Sequence, residues 1–293
     1  MSSNLPEGFR SGVPGARLTT YGIGGPILSL YEPNSAEELA GLVKRFQQAG
    51  LRFRVLGGGS NLLIPDEGIT EPVIRLGTGF RFWERLPSNR ARVGAAMPYI
   101  RLSQETAQSG LSGLEFAGGI PAWFGGAVRM NAGAHGSDTA AVLESAKLVT
   151  YEGDIVDIPA SQFGYSYRKS RVGELGIVIE GTLKLVEGNS DDILAVRAKN
   201  LSHRKSAQPI TLPSAGSVFK NPAPDLTAGI VIERSGLKGF RVGGAEVSNM
   251  HGNWIVNPEG AARASDVKAC IQECQRVVRD KFNINLETEL VVW

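Results

Sequence analysis

Two glycine-rich stretches carry the strongest chemical signal in this 293-residue chain. Gly57, Gly58, Gly59, Ser60 and Asn61 follow the apolar run LRFRVL, and GLEFAGGIPAWFGGAVRMNAGAHG spans residues 113–136. Backbone without Cβ atoms brings N–H groups within reach of phosphate oxygens, and successive exposed N–H groups form an anion-binding nest. Two such loops suit a pyrophosphate. Neither stretch has the dinucleotide fingerprint GxGxxG or the P-loop GxxxxGK[ST] in a strand-to-helix setting. The alternative, glycines serving only as turns, is the weaker reading for either loop alone and much weaker for both together.

A second group is polar: Tyr167 and Arg168 in FGYSYRKS, Ser217 with Lys220 and Asn221 in AGSVFKNP, and Glu289 in LETELVV. Ser217 is no triad nucleophile, because GxSxG is absent and His135, His203 and His251 stand in unrelated settings. Alone, Arg168 reads as a surface or ion-paired arginine and Glu289 as a solvated strand residue. The histidines lack HExxH spacing and a cysteine partner set, so no metal site is expected. His203, Arg204 and Lys205 end a helix, where cations offset the dipole; a grip on phosphate is the competing reading. Cys270 and Cys274 lie on one apolar helical stripe with Val267, Ile271, Val277 and Val278, which marks them as buried, reduced packing residues.

Charge and composition exclude several classes. With 31 basic and 29 acidic residues, a net charge of +2 and no long block of either sign, the chain offers no nucleic-acid stripe or membrane-binding patch. No apolar run approaches the roughly 20 residues of a membrane helix, and MSSNLPEGFRSG lacks the apolar centre of a secretory signal. The expectation is a soluble, cytoplasmic protein. At 42% hydrophobic content it is long enough for two or three domains.

The elements that must position these residues follow from pattern. Residues 26–31 read as a strand, Ser35 with Glu38 opens a helix that Gly50 closes, and residues 51–56 form a second strand, parallel to the first. Short strands are expected at 73–76 and 90–96, a helix at 97–110, a hairpin of 143–151 with 155–158 about Glu152-Gly153-Asp154, and a strand at 177–186. A helix over 190–206 leads to Pro209 and Pro213, which open a smaller unit of mixed type. That unit holds a helix at 227–235, strands at 245–247 and 254–256, and a long helix from Ser265. The final strand alternates, with Ile284, Leu286, Thr288, Leu290 and Val292 on one face and Asn285, Glu287, Glu289 and Val291 on the other.

Together the motifs LGGGSNLLI, GIPAWFGGAVRMNAGAHG, YRKS, GSVFKNP, GLKGFRVGGAEVSNMHGNWIVN and LETELVV occur in the order seen in UDP-N-acetylenolpyruvoylglucosamine reductases, from about Thr19 to Glu289. The chain resembles that family's shorter subtype, in which the tyrosine and arginine are adjacent. The resemblance implies an α+β fold, with a two-subdomain FAD-binding unit of the vanillyl-alcohol-oxidase type and a smaller α+β substrate domain. The implied divisions are residues 1–78, residues 79–206 completed by 284–293, and residues 207–283. It implies non-covalent FAD and NADPH as co-substrate, in a monomer that reduces UDP-N-acetylglucosamine enolpyruvate for peptidoglycan synthesis, and hence for cell shape and division.

By the same resemblance, Gly57, Gly58, Gly59, Ser60, Asn61, Gly118, Gly119, Ile120, Pro121, Gly125, Gly126, Ala127 and Asn131 contact FAD. Arg168 holds the substrate carboxylate, Ser217 donates a proton, and Glu289 shares or relays charge. Tyr167, Arg204, Lys220, Asn221 and Glu246 bind substrate, with His251 a weaker candidate. Positions 122–124 depart from the family in reading Ala-Trp-Phe, so Trp123 either reshapes the flavin loop or packs outside it. The rival readings are another FAD enzyme of the same superfamily, such as an oxidase of a hydroxyl substrate, and a non-catalytic UDP-sugar or flavin binding module.

Overall fold

A computed structural model describes residues 5–293. The chain forms two compact units. The first holds the described residues up to Ser11, then Ser29–Gly58 and Glu71–Ser202; the second holds Gly12–Leu28, Gly59–Thr70 and His203–Trp293.

In the first unit, the helix Ala36–Gln48 begins where the Ser35 hydroxyl accepts from the Glu38 N–H at 3.1 Å, while the Glu38 carboxylate accepts from the Asn34 N–H at 2.6 Å. These reciprocal bonds satisfy donors that no helical carbonyl can reach. Its inward face, Leu39, Leu42, Val43 and Phe46, is buried. The helix joins Leu30–Tyr31 to Arg54–Leu56, and both strands pair in parallel with Val73–Arg75 between them. A five-stranded antiparallel sheet follows in the order Ile155–Pro159, Leu143–Val149, Ile177–Lys184, Arg90–Gly94, Trp83–Leu86. The helices Tyr99–Gln108 and Phe124–Met130 bury Tyr99, Leu102, Phe124, Ala127 and Val128 in the core of this unit. The strand Trp83–Leu86 was not expected from pattern. It is a charged edge strand, turned back by Ser88 and Asn89 at φ 62° and 56°, with Glu84 paired to Arg92 across the ladder at 2.9 Å.

The second unit packs the helices Ala228–Arg234 and Ala264–Phe282 with the three-stranded antiparallel sheet of Arg241–Val242, Ala245–Val247 and Ile255–Val256. Cys270 and Cys274 are free and wholly buried in that core. Desolvation raises their thiols to about 11 and about 12, so both remain protonated at neutral pH. The segment 26–31 is two short strands rather than one. Leu28 donates to Ile69 in the second unit, whereas Ser29 accepts from Val73 in the first. The C-terminal strand is also shorter than expected. Only Val291–Val292 forms a ladder, parallel to Leu62–Leu63, and both valines are exposed, as is Thr288. Residues 284–293 fall in the second unit. Their backbone runs beside Val218–Lys220, where Glu289 N–H donates to Val218 O at 2.8 Å and Lys220 N–H to Glu287 O at 2.9 Å. Among the described residues, no helix is long and apolar enough to cross a membrane.

Candidate active site

In the first unit, the strand end Leu56–Gly57 and the start of the helix Phe124–Met130 open on a common cavity, lined by Gly57, Gly125, Gly126, Ala95, Trp123 and Val178 among others. Its wall is bare backbone on one side and apolar side chains on the other. A Cβ built at Gly57 or Gly126 meets no atom within 4 Å, so both glycines face open space. One at Gly58 would lie 3.0 Å from Cδ1 of Trp123, so Gly58 packs behind the wall. Trp123 therefore shapes the cavity and does not pack outside it. Its indole is held by two guanidinium groups, with Arg75 at 4.6 Å and Arg81 at 5.6 Å from the ring centroid. Gly118 lies elsewhere in the unit, where its missing side chain admits Arg197: a Cβ there would stand 2.8 Å from Arg197 Cγ. Arg197 in turn donates through Nε to the Ser103 hydroxyl at 3.2 Å.

Tyr167 and Arg168 occupy the tip of a tight turn. Ser166 and Lys169 exchange backbone hydrogen bonds at 3.0 and 3.1 Å, and Arg168 sits at φ 56°. Tyr167 is exposed, and the Arg168 guanidinium lies 5.3 Å from its ring while donating to Gly133 O at 2.8 Å. Asn131 is buried. Its amide nitrogen donates to Asp138 at 3.0 Å and to Ser166 O at 3.3 Å, and its amide oxygen accepts from Ala140 N–H at 3.0 Å.

The second unit brings Ser217, Glu289, Asn61 and Lys220 onto neighbouring segments. Ser217 is half-buried after Gly216, and Glu289 runs alongside, its N–H on Val218 O and its carbonyl accepting from the Asn61 amide at 3.0 Å. Lys220 pairs with Glu287 at 3.1 Å. Asn253, which pattern reasoning missed, fixes this segment. Its amide oxygen accepts from Phe219 N–H at 2.9 Å, its amide nitrogen donates to Phe219 O at 2.8 Å, and its carbonyl accepts from Val218 N–H at 3.0 Å. Asn253 stands in HGNWIVN, where its burial, visible only in the fold, makes paired hydrogen bonds of this kind necessary.

The other candidates in this unit are committed to protein partners. Asn221 Oδ1 accepts from the Ala228 N–H at 3.2 Å. Glu246 is buried, with one oxygen paired to Arg241 and the other accepting from Asn249 at 2.7 Å. His251 Nδ1 accepts from Asn253 N–H at 3.2 Å, and burial, then the charge of Lys238, depresses its proton affinity below the ordinary histidine range. Arg204 lies in the last turn of the helix Ser190–Ala207. Arg168 belongs to the first unit, Ser217 and Glu289 to the second.

The profile of the UDP-N-acetylenolpyruvoylglucosamine reductase C-terminal domain matches residues 208–293, and that of an FAD binding domain matches residues 27–159. The UDP-N-acetylenolpyruvoylglucosamine reductase of Bacillus subtilis (strain 168) is 40% identical over 281 residues, 95% of this chain and 92% of its own length. UDP-N-acetylenolpyruvoylglucosamine reductase 1 of Bacillus cereus (strain ATCC 14579) is 41% identical with the same coverage. The chain belongs to the UDP-N-acetylenolpyruvoylglucosamine reductase family. The crystal structure of the family's Thermus caldophilus member matches it with a TM-score of 0.85 at 40% identity, over 97% of this chain and 99% of that one. The α+β fold with an FAD-binding unit and a C-terminal reductase domain is thus established, and the chain is an FAD-dependent oxidoreductase.

The lining of this cavity suits a part of that cofactor. Its bare glycines allow backbone to approach a phosphate or ring, while Val55, Leu76 and Val178 supply an apolar wall. Among the described residues, no cluster of three or more histidine, cysteine or carboxylate side chains is placed to hold a metal ion.

Proposed function

We propose that this enzyme reduces the enolpyruvyl group of UDP-N-acetylglucosamine enolpyruvate to UDP-N-acetylmuramate, with NADPH as the electron donor. The observation that carries the reading is the full-length likeness, at about two identical residues in five, to reductases of that name, spanning both the FAD-binding and the reductase domain. Under this reading the protein works as a monomer in the cytoplasm, in peptidoglycan precursor synthesis.

Gly57, Gly125 and Gly126 would hold FAD with backbone N–H groups, and Val55, Leu76 and Val178 would cover its apolar surface. Bound FAD supplies the hydride carrier between NADPH and the terminal carbon of the enol ether. Hydride arrival at that carbon drives an electron pair into the conjugated carboxylate, which becomes an enediolate. Arg168 stabilises the added charge, a task suited to a guanidinium that is always protonated. The adjacent carbon then takes the Ser217 hydroxyl proton as the enediolate returns its electron pair. Glu289, on the segment beside Ser217, shares charge at the carboxylate. A serine hydroxyl is a poor acid in water, so its role requires a water-poor setting. Tyr167, Arg204, Lys220 and Asn221 are the candidates for the UDP diphosphate. Because Asn221 and Glu246 are already committed within the second unit, they serve the substrate by shaping loops as much as by touching it.

The test is a pair of anaerobic half-reactions. Flavin absorbance should bleach on adding NADPH and return on adding the enolpyruvyl UDP-sugar without oxygen. Ser217→Ala should keep the first step and lose most of the second. Recovery only on admitting oxygen would refute the reading and indicate an oxidase.

A further inference from the structure

The glycine-rich segment and the turn carrying Arg168 are built into each other. The last carbonyls of a helix have no amide four residues on to accept from; in Phe124–Met130 two of them accept side-chain hydrogen bonds from the residues that bracket the turn, and Val128 O also takes the Asn131 N–H at 3.4 Å. Tyr165 Oη donates to Val128 O at 3.1 Å and Ser170 Oγ to Arg129 O at 2.5 Å. Burial raises the Tyr165 phenol above its ordinary range, which keeps it a donor. Asn131 caps the same helix at φ 45° and donates to Ser166 O, at the base of the turn. The Arg168 guanidinium closes the set by donating to Gly133 O. Both hydrogens of the Asn131 amide nitrogen are used within the protein, on Asp138 and Ser166. Its side chain therefore has no donor left for a cofactor.

We infer that Asn131, Tyr165 and Ser170 are positioning residues for Arg168, holding its turn at three points on the end of the helix Phe124–Met130. The inference rests on the reading of Arg168 as the partner of the substrate carboxylate. The left-handed backbone at position 131 suits glycine at no cost, so Asn131→Gly removes three hydrogen bonds without straining the chain. Freed of its anchor, the turn no longer presents the guanidinium in one place, and a displacement on the order of 1 Å at a reacting centre costs about a hundredfold in rate.

The experiment compares Asn131→Gly, Tyr165→Phe, Ser170→Ala and Arg168→Ala, each purified with FAD, in anaerobic stopped flow. Flavin reduction by NADPH should stay within about twofold of the parent in the three positioning variants, since their effect acts only where charge develops. Reoxidation by the enolpyruvyl UDP-sugar should slow about a hundredfold in Asn131→Gly and about tenfold in the other two. In an Arg168→Ala background, Asn131→Gly should slow reoxidation no further, because the two act as one unit. Parental reoxidation in Asn131→Gly and Tyr165→Phe, with Arg168→Ala slow, would overturn this inference and leave the role of Arg168 standing. Equal loss in both half-reactions would also overturn it. Parental reoxidation in Arg168→Ala would remove the reading beneath it. Should Asn131→Gly fail to retain FAD, the Tyr165 and Ser170 variants decide by the same criteria.

Discussion

Replacing Gly126 with alanine should strengthen the protein and weaken its cofactor binding at once. Gly126 is an interior residue of the helix Phe124–Met130, and a Cβ built there meets nothing within 4 Å. Alanine in place of glycine in a helix interior is worth about 1 kcal/mol when the methyl has room. For a unit of this size, that raises the melting temperature of the apoprotein by about 2–4 °C. The methyl, however, projects into the cavity shared with Gly57 and Trp123. Forcing an extra carbon into occupied space costs about 1–3 kcal/mol, which is roughly a 5- to 150-fold weaker dissociation constant for FAD. Stripping the flavin, melting the apoprotein, and titrating FAD by its fluorescence measures both quantities on one sample. Gly58→Ala is the useful contrast, since its methyl would press on Trp123 at 3.0 Å and should lower both. Gly126→Ala apoprotein that melts higher while binding FAD as tightly as the parent would show that this wall does not face the cofactor.

Three further outcomes are expected. Asp66 accepts hydrogen bonds from Ala264 N–H at 2.7 Å and from the N–H and hydroxyl of Ser265 at 3.1 and 2.8 Å, at the start of the helix Ala264–Phe282. Burial opposes its ionisation, but these bonds and Arg263 together hold its carboxyl below the usual range. Its contribution is therefore complete above an unfolded value of about 3.9 and is lost as pH falls through the folded one. Asp66→Ala should cost about 1–2 kcal/mol at pH 7 by urea denaturation and less in acid; an equal loss at both would refute the cap. His251 is displaced downward, so below about pH 6.5 the unfolded chain binds the proton that the folded one refuses, and stability falls as pH drops toward the folded value. His251→Gln should flatten that part of the urea midpoint profile, and an unchanged slope would assign it to other groups. Because Trp123 lines the cavity, FAD should quench its emission, and Trp123→Phe should remove more of the quench than Trp83→Phe. The reverse order would place the flavin away from Trp123.

Local rules were readable where a few neighbouring residues settle the geometry. Ser35 with Glu38, the hairpin about Gly153, and the apolar stripe carrying Cys270 and Cys274 are of this kind. Legibility failed where partners distant in sequence decide. Residues 26–31 look like one strand, yet Ile69 and Val73 recruit its two ends into different units. Glu84 and Arg85 obscured an edge strand, because a strand with one free edge tolerates charge on its surface. The glycines at 57, 125 and 126 could be picked out as cavity wall because a bare backbone is itself a sequence feature. Gly118 could not be told from them, since only the fold shows Arg197 occupying its missing side chain. Asn131 and Asn253 illustrate the same limit. An asparagine that clamps backbone reads in sequence like one that touches a ligand.

The helix Phe124–Met130 has seven residues, far short of the length at which a helix holds itself together in water. Its order comes from the burial of Phe124, Ala127 and Val128 in the core together with what its two ends engage. At the start, Phe124 N–H and Gly125 N–H donate to Met97 O and Ala95 O, both at 2.9 Å. At the end, Tyr165 and Ser170 take up the carbonyls of Val128 and Arg129. One half presents bare backbone to the cavity, and the other carries the Arg168 turn. A substitution that loosens either end therefore disturbs both, since so short a helix melts as one piece. This explains why so glycine-rich a stretch is ordered rather than a flexible linker. It also means that the cavity wall and the turn carrying Arg168 cannot be altered independently by changes within residues 124–131.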